Sequence, residues 1–201
     1  AYHAGVVAQY VIEDLAEIPV RVELASEFRY RNLPLDRDGL VVIISQSGET
    51  ADSLAALRKA KEDGVRTLAI VNVVGSSIAR EADYVFYTLA GPEIAVATTK
   101  AYSTQLIAGY LMAIHFGLVR GRVTAEQGEA LLKDMLAIPE KIEKILDDKE
   151  RLQWFAAKFS NARDIFFIGR GIDYAVSLEG SLKMKEISYI HSEAYAAGEL
   201  K

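Results

Sequence analysis

The sequence predicts an α/β fold: a three-layer sandwich with helices flanking a parallel sheet, followed by the start of a second lobe of the same kind. Three observations carry this. Short β-rich runs alternate with helical stretches along the 201 residues, as repeated strand–helix–strand units require. The strands are apolar throughout rather than alternating, as expected of strands covered on both faces. Shifted by 172 residues, the N-terminal segment also matches 173–200: Tyr2 meets Tyr174, Ile18 meets Ile190, and Ala25-Ser26-Glu27-Phe28 meets Ala197-Gly198-Glu199-Leu200, without a gap over 27 positions. Such a match points to two copies of one lobe.

Taken in order, the expected strands are VRVEL (20–24), LVVIIS (40–45), TLAIVNV (67–73) and YVFYTL (84–89), then DIFFIG (164–169) in the second copy. Between them, ADSLAALRKAKE (51–62) places Ala51, Leu54, Ala55 and Leu57 on one helical face, with Asp63-Gly64 as its stop. SSIAREA (76–82) is a short helix and 99–117 a long one. The expected organisation is a first lobe over 1–123, a charged helical linker over 124–160, and a second lobe from 161. The chain opens inside a helix, so copy one is expected to lack its first strand. Copy two stops at Lys201, before the counterpart of the turn that follows 40–45. The sequence therefore reads as a piece of a longer protein, cut at both ends.

Composition removes several function classes. With 51% apolar and 25% charged residues the chain is a folding one. Its net charge is −5 and its 23 basic residues are scattered, whereas nucleic-acid binding wants a basic stripe. No cysteine is present, which excludes disulfides, cysteine zinc sites and a cysteine nucleophile within the chain. His3, His115 and His191 lack ligand spacing, so neither a metal nor a cofactor is expected. The most apolar stretch, LIAGYLMAIHFGL (106–118), has 13 residues against the roughly 20 of a membrane span. It reads as a buried helix of a soluble, cytoplasmic protein.

Three groups carry candidate chemistry. SQSGET (45–50) joins a strand end to a helix start, where unpaired N–H groups favour an anion. Ser45, Ser47 and Thr50 add hydroxyls, Gln46 an amide, and Gly48 close backbone approach. A helix cap needs only one such residue, and the glycine-lysine pair of a Walker loop is missing. The turn is therefore read as a phosphate site built of neutral donors. EIAVATTK (93–100) again follows a strand and opens a helix; Thr98 or Thr99 is either an N-cap or part of a shared pocket. In LEGSLKMKEISYIH (178–191), Glu179, Lys183 and Glu186 fall on one helical face. They form either a surface salt-bridge ladder or a general base held beside a lysine, and spacing alone leaves both open.

Together, ISQSGETADSL, VNVVGSSIAREAD, EIAVATTKAYSTQL and LEGSLKMKEISYIHSEAYAAGELK resemble the sugar-isomerase (SIS) half of the glucosamine-6-phosphate synthase family, the isomerizing glutamine–fructose-6-phosphate aminotransferases. The resemblance runs from about Tyr2 to Lys201. SQSGET alone would indicate only a phosphosugar-binding SIS domain, whereas KEISYIHSEAYAAGELK is far more specific to the synthases. The resemblance implies an SIS-type sandwich followed by a truncated second SIS lobe. It implies an enzyme making glucosamine 6-phosphate from fructose 6-phosphate, with ammonia from a glutaminase domain of the same polypeptide, acting as a homodimer.

Carried over by motif, Ser45, Gln46, Ser47 and Thr50 would bind the sugar phosphate, and Val96 and Thr98 would line the sugar's path (many relatives have serine at the latter). Glu186 would be the base moving a proton between C1 and C2, with Lys183 assisting. The family's glutaminase half has no counterpart in this sequence, in keeping with the lack of cysteine. Its phosphate-contacting serine would precede Tyr2. Its ring-opening histidine would follow Lys201, and its Schiff-base lysine would lie further on. The competing reading is a phosphosugar-sensing SIS module of a regulator, or another SIS sugar isomerase.

Overall fold

The structure, a computed structural model, describes residues 1–200. It comprises two compact units, one of residues 1–14 and 18–113, the other of residues 15–17 and 114 onward.

In the first unit, β1 (Leu40–Ser45), β2 (Arg66–Val71) and β3 (Tyr84–Tyr87) form a parallel sheet in that order. Leu40 pairs with Arg66, Ser45 with Val71, and Leu68 with Tyr84. The crossover helices α3 (Ala51–Glu62) and α4 (Ser77–Glu81) cover one face. There Ile43, Ala69 and Val71 of the sheet are buried with Ala56 and Leu57 of α3, Ile78 of α4, and Phe28 of α2 (Ala25–Phe28). The other face belongs to α1 (Tyr2–Ala16): a methyl at Gly5 would stand 3.7 Å from Ile44 of β1. The long helix α5 (Lys100–Val119) packs closely on α1, since a Cβ at Gly109 would come within 2.9 Å of the Ala8 Cβ. Strands buried from both sides explain the unbroken apolar runs. Asp83 ties the strands at their start: one of its carboxylate oxygens accepts both the N–H and the hydroxyl of buried Thr67 at 2.8 Å.

In the second unit, α6 (Ala125–Leu136), α7 (Ile138–Leu146) and α8 (Lys149–Lys158) precede a βαβ motif of β4 (Asp164–Gly169), α9 (Ile172–Ser188) and β5 (His191–Ala196). A capping box starts α6, with Thr124 and Gln127 each bonding the other's backbone N–H. β4 and β5 pair in parallel, Asp164 opposite His191 and Gly169 opposite Ala196. Buried Ser181 and Ser192 bond reciprocally between α9 and β5, each hydroxyl donating to the other's carbonyl at 2.9 and 2.7 Å.

The α/β expectation holds, with a small second parallel sheet. β1, α3 and β4 lie at their expected bounds, and β2, β3, α4 and α5 within two residues. One strand fails: 20–24 belongs to no helix or strand and joins no ladder. Its repeat counterpart does pair, because β4 stands beside β5 and no described strand stands beside 20–24. The repeat is visible in backbone detail as well. α1 ends on Glu17 at φ +51° and α9 on Tyr189 at φ +60°, positions 172 apart. No helix among the described residues is long and apolar enough to cross a membrane.

Candidate functional site

β1 ends at Ser45 and α3 begins at Ala51, so Gln46 to Thr50 turn at the carboxyl edge of the parallel sheet, where ligands of such sheets collect. Two internal bonds fold the turn. Buried Ser45 accepts the Gly48 N–H on its Oγ at 3.0 Å, and Ser47 accepts the Glu49 N–H at 3.2 Å. Gly48 takes φ +66°. Thr50 is the N-cap of α3, yet its hydroxyl makes no cap bond. The first N–H groups of α3 thus keep their partial positive charge without a capping side chain. Arg29, which sequence reading did not bring here, pairs at 2.7 Å with Asp52 in the first turn of α3. The charges of that pair are matched, so the turn itself offers neutral donors.

Gln46 also lines an open cleft of about 440 Å³ with Asn72, Val73, Gly91, Pro92 and Glu93. These residues follow the ends of all three strands, so the cleft lies along the carboxyl edge of the sheet. Asn72 braces it, donating to the Gly91 carbonyl at 2.7 Å and accepting the Ala90 N–H at 2.8 Å.

In the EIAVATTK segment the N-terminal acceptor of α5 comes from Glu93. Its carboxylate takes the N–H groups of Ala101, Ala95 and Thr99 at 3.2, 3.3 and 3.4 Å. Desolvation opposes ionisation of this carboxyl, but those N–H groups and Lys100 outweigh it and hold it below the usual range. Val96 is fully exposed and Thr98 half-buried; neither lines the cleft.

In the second unit, α9 gathers the charged group as its spacing foresaw. Lys183 Nζ lies 2.5 Å from Glu186 and 3.4 Å from Glu179. Glu179 is buried and Glu186 exposed. Desolvation disfavours the Lys183 charge, yet the two carboxylates outweigh it and raise its pKa above the ordinary lysine value. Lys183 is therefore a cation throughout the neutral range.

Sequence reasoning missed two carboxylates. Besides Glu93 there is Glu49, inside SQSGET itself, which accepts the Ser77 N–H at 2.7 Å. Each is a glutamate beside a helix start, and that spacing was the available signal. Among the described residues no group of three or more His, Asp or Glu could hold a metal.

The SIS domain family matches residues 1–115 and 158–201. Over all 201 residues the chain is 62% identical to the isomerizing glutamine–fructose-6-phosphate aminotransferase of Clostridium tetani, and 60% to that of Caldanaerobacter subterraneus subsp. tengcongensis. It spans 33% of each, about a third of the length of these curated relatives. The solved C-terminal domain of the glucosamine-fructose-6-phosphate aminotransferase of Francisella tularensis superimposes with a TM-score of 0.96 at 43% identity, over 99% of this chain and 56% of that one. With both strand–helix regions matched, this chain belongs to the SIS domain family.

Proposed function

We propose that this chain is the sugar-phosphate-handling isomerase part of an enzyme making glucosamine 6-phosphate from fructose 6-phosphate, with ammonia supplied by a glutaminase domain of the same polypeptide. The observation that carries it is the turn 45–50, a cluster of hydroxyl and amide groups at an uncapped helix start on the sheet's carboxyl edge. The kinship to enzymes named as fructose-6-phosphate aminotransferases supports the substrate. Ser45, Gln46, Ser47 and Thr50 hold the phosphate, and Val96 and Thr98 flank the sugar. Glu186 is the base, and Lys183 its assisting cation. The carboxylate–ammonium pair favours an enzyme over a phosphosugar-sensing module, which needs no base. A cytoplasmic location follows from the same reading, since phosphorylated sugars are retained there.

Ser47→Ala tests the turn. Ser47 is half-buried and its hydroxyl accepts one local bond, so its loss should weaken fructose 6-phosphate binding by about 1–2 kcal/mol, the worth of a hydrogen bond to a charged group. An unchanged calorimetric titration returns the turn to a purely structural role. The chain should also self-associate as a homodimer, the state the family resemblance implies. Exposed Trp154, Phe155, Phe159 and Phe166 in the second unit supply apolar surface of the kind that contacts cover. Sedimentation that finds a stable monomer at high concentration contradicts this.

A further inference from the structure

A carboxylate inside a phosphate-binding turn is an electrostatic contradiction, because it repels the anion that the turn attracts. Glu49 occupies such a place. The structure resolves the contradiction by turning the side chain onto the start of α4, where Oε1 accepts the Ser77 N–H at 2.7 Å. That bond is the outermost of a series. The Ile78 N–H donates to the Gly48 carbonyl at 3.0 Å, and the Asn72 N–H donates to the Gln46 carbonyl at 3.1 Å. Ser76, almost wholly buried, lies where a Cβ on residue 48 would be. Residues 46, 48 and 49 are thus each fastened to the segment that leads from β2 into α4. On the opposite side of the turn, the start of α3 is tied instead to α2, through Arg29 and Asp52 at 2.7 Å.

We infer that Glu49 is a positioning residue for the sugar phosphate, a strut to α4 that fixes the turn so that Ser47, Thr50 and the α3 N–H groups face the anion. This deepens, and rests on, the reading of the turn as a phosphate site. Bulk electrostatics and positioning predict opposite signs. If Glu49 acted only through its charge, removing it would tighten anion binding. If it acts as a strut, Glu49→Ala weakens binding although a negative charge is gone. Glu49→Gln, which keeps an acceptor for the Ser77 N–H, binds at least as well as the unaltered chain.

The test is calorimetric titration of the full chain with sulfate, alongside amide hydrogen exchange at Ser77. The expected result is a loss of about fivefold in sulfate affinity for Glu49→Ala, the scale of one charge-assisted bond discounted for exposure. The Ser77 amide should lose protection in that variant alone, with both properties restored in Glu49→Gln. Glu49→Ala binding sulfate as tightly as the unaltered chain, or more tightly, overturns the strut. Equal loss in the Ala and Gln variants overturns it too, since the charge and not the acceptor would then matter. Failure of the unaltered chain to bind sulfate or fructose 6-phosphate defeats the phosphate reading itself, an outcome distinct from the other two.

Discussion

Gly48→Ala should destabilise the first unit by about 2–4 kcal/mol and abolish phosphate binding, adding left-handed backbone strain to overpacking. Gly48 sits at φ +66°, which an L side chain rarely adopts. Its Cβ would also stand 2.1 Å from Ser76 Oγ and 2.6 Å from Ser76 Cβ. Rotating the hydroxyl relieves the first contact; the second needs movement of the α4 start or of the turn. Moving the turn misplaces Ser47 and Thr50, so binding should fail even where folding survives. Gly64 is the natural control: it has φ +78° with nothing within 4 Å, so Gly64→Ala carries strain alone. Urea midpoints for the two variants separate strain from collision, and adding Ser76→Gly to Gly48→Ala should recover the collision part. Equal costs at the two glycines would mean that the turn accommodates the methyl.

Glu186→Gln should lower sugar-isomerisation turnover by about 10²–10⁴-fold, the usual contribution of a general base, in an enzyme of the relatives' full length carrying this sequence. On the proposed reading, in which the turn at 45–50 and not Glu186 binds the phosphate, the KM should change little. The alternative is the surface ladder, and the geometry here is also that of a ladder: Lys183 bonds Glu186 at 2.5 Å and reaches Glu179 at 3.4 Å. A ladder rung of such exposure contributes about 0–1 kcal/mol to stability and nothing to chemistry. The two readings therefore separate on turnover, not on folding. Turnover within a few-fold of the parent enzyme would remove Glu186 from the mechanism. The ladder's pH behaviour follows from the raised Lys183 pKa. Its stabilisation is complete below the ordinary lysine value and is lost as pH rises through the higher folded value, so neutral pH leaves it intact.

The sequence by itself determined the elements whose signals are local. β1 and β4 are unbroken apolar runs closed by a serine or a glycine, and α3 lies between a polar turn and Asp63-Gly64. The donor cluster at 45–50 and the Glu179–Lys183–Glu186 face were legible for the same reason, being matters of spacing along one turn or one helix. Tertiary structure decided what depends on partners distant in the chain. VRVEL at 20–24 has the composition of a strand and is none, while HSEAYA at 191–196 is polar and is one. The difference is the ladder: 191–196 pairs with β4, and 20–24 has no described neighbour to pair with. Glu49 belongs with the second group, an ordinary surface glutamate in the sequence that becomes an acceptor for Ser77 only once α4 is brought alongside. Glu93, in contrast, lies just ahead of α5, whose Ala101 N–H it accepts, and its place before a helix start was a local signal. A helix closes its hydrogen bonds within itself, but a strand and a bracing carboxylate need a second segment, whose approach is set by packing rather than by neighbouring residues.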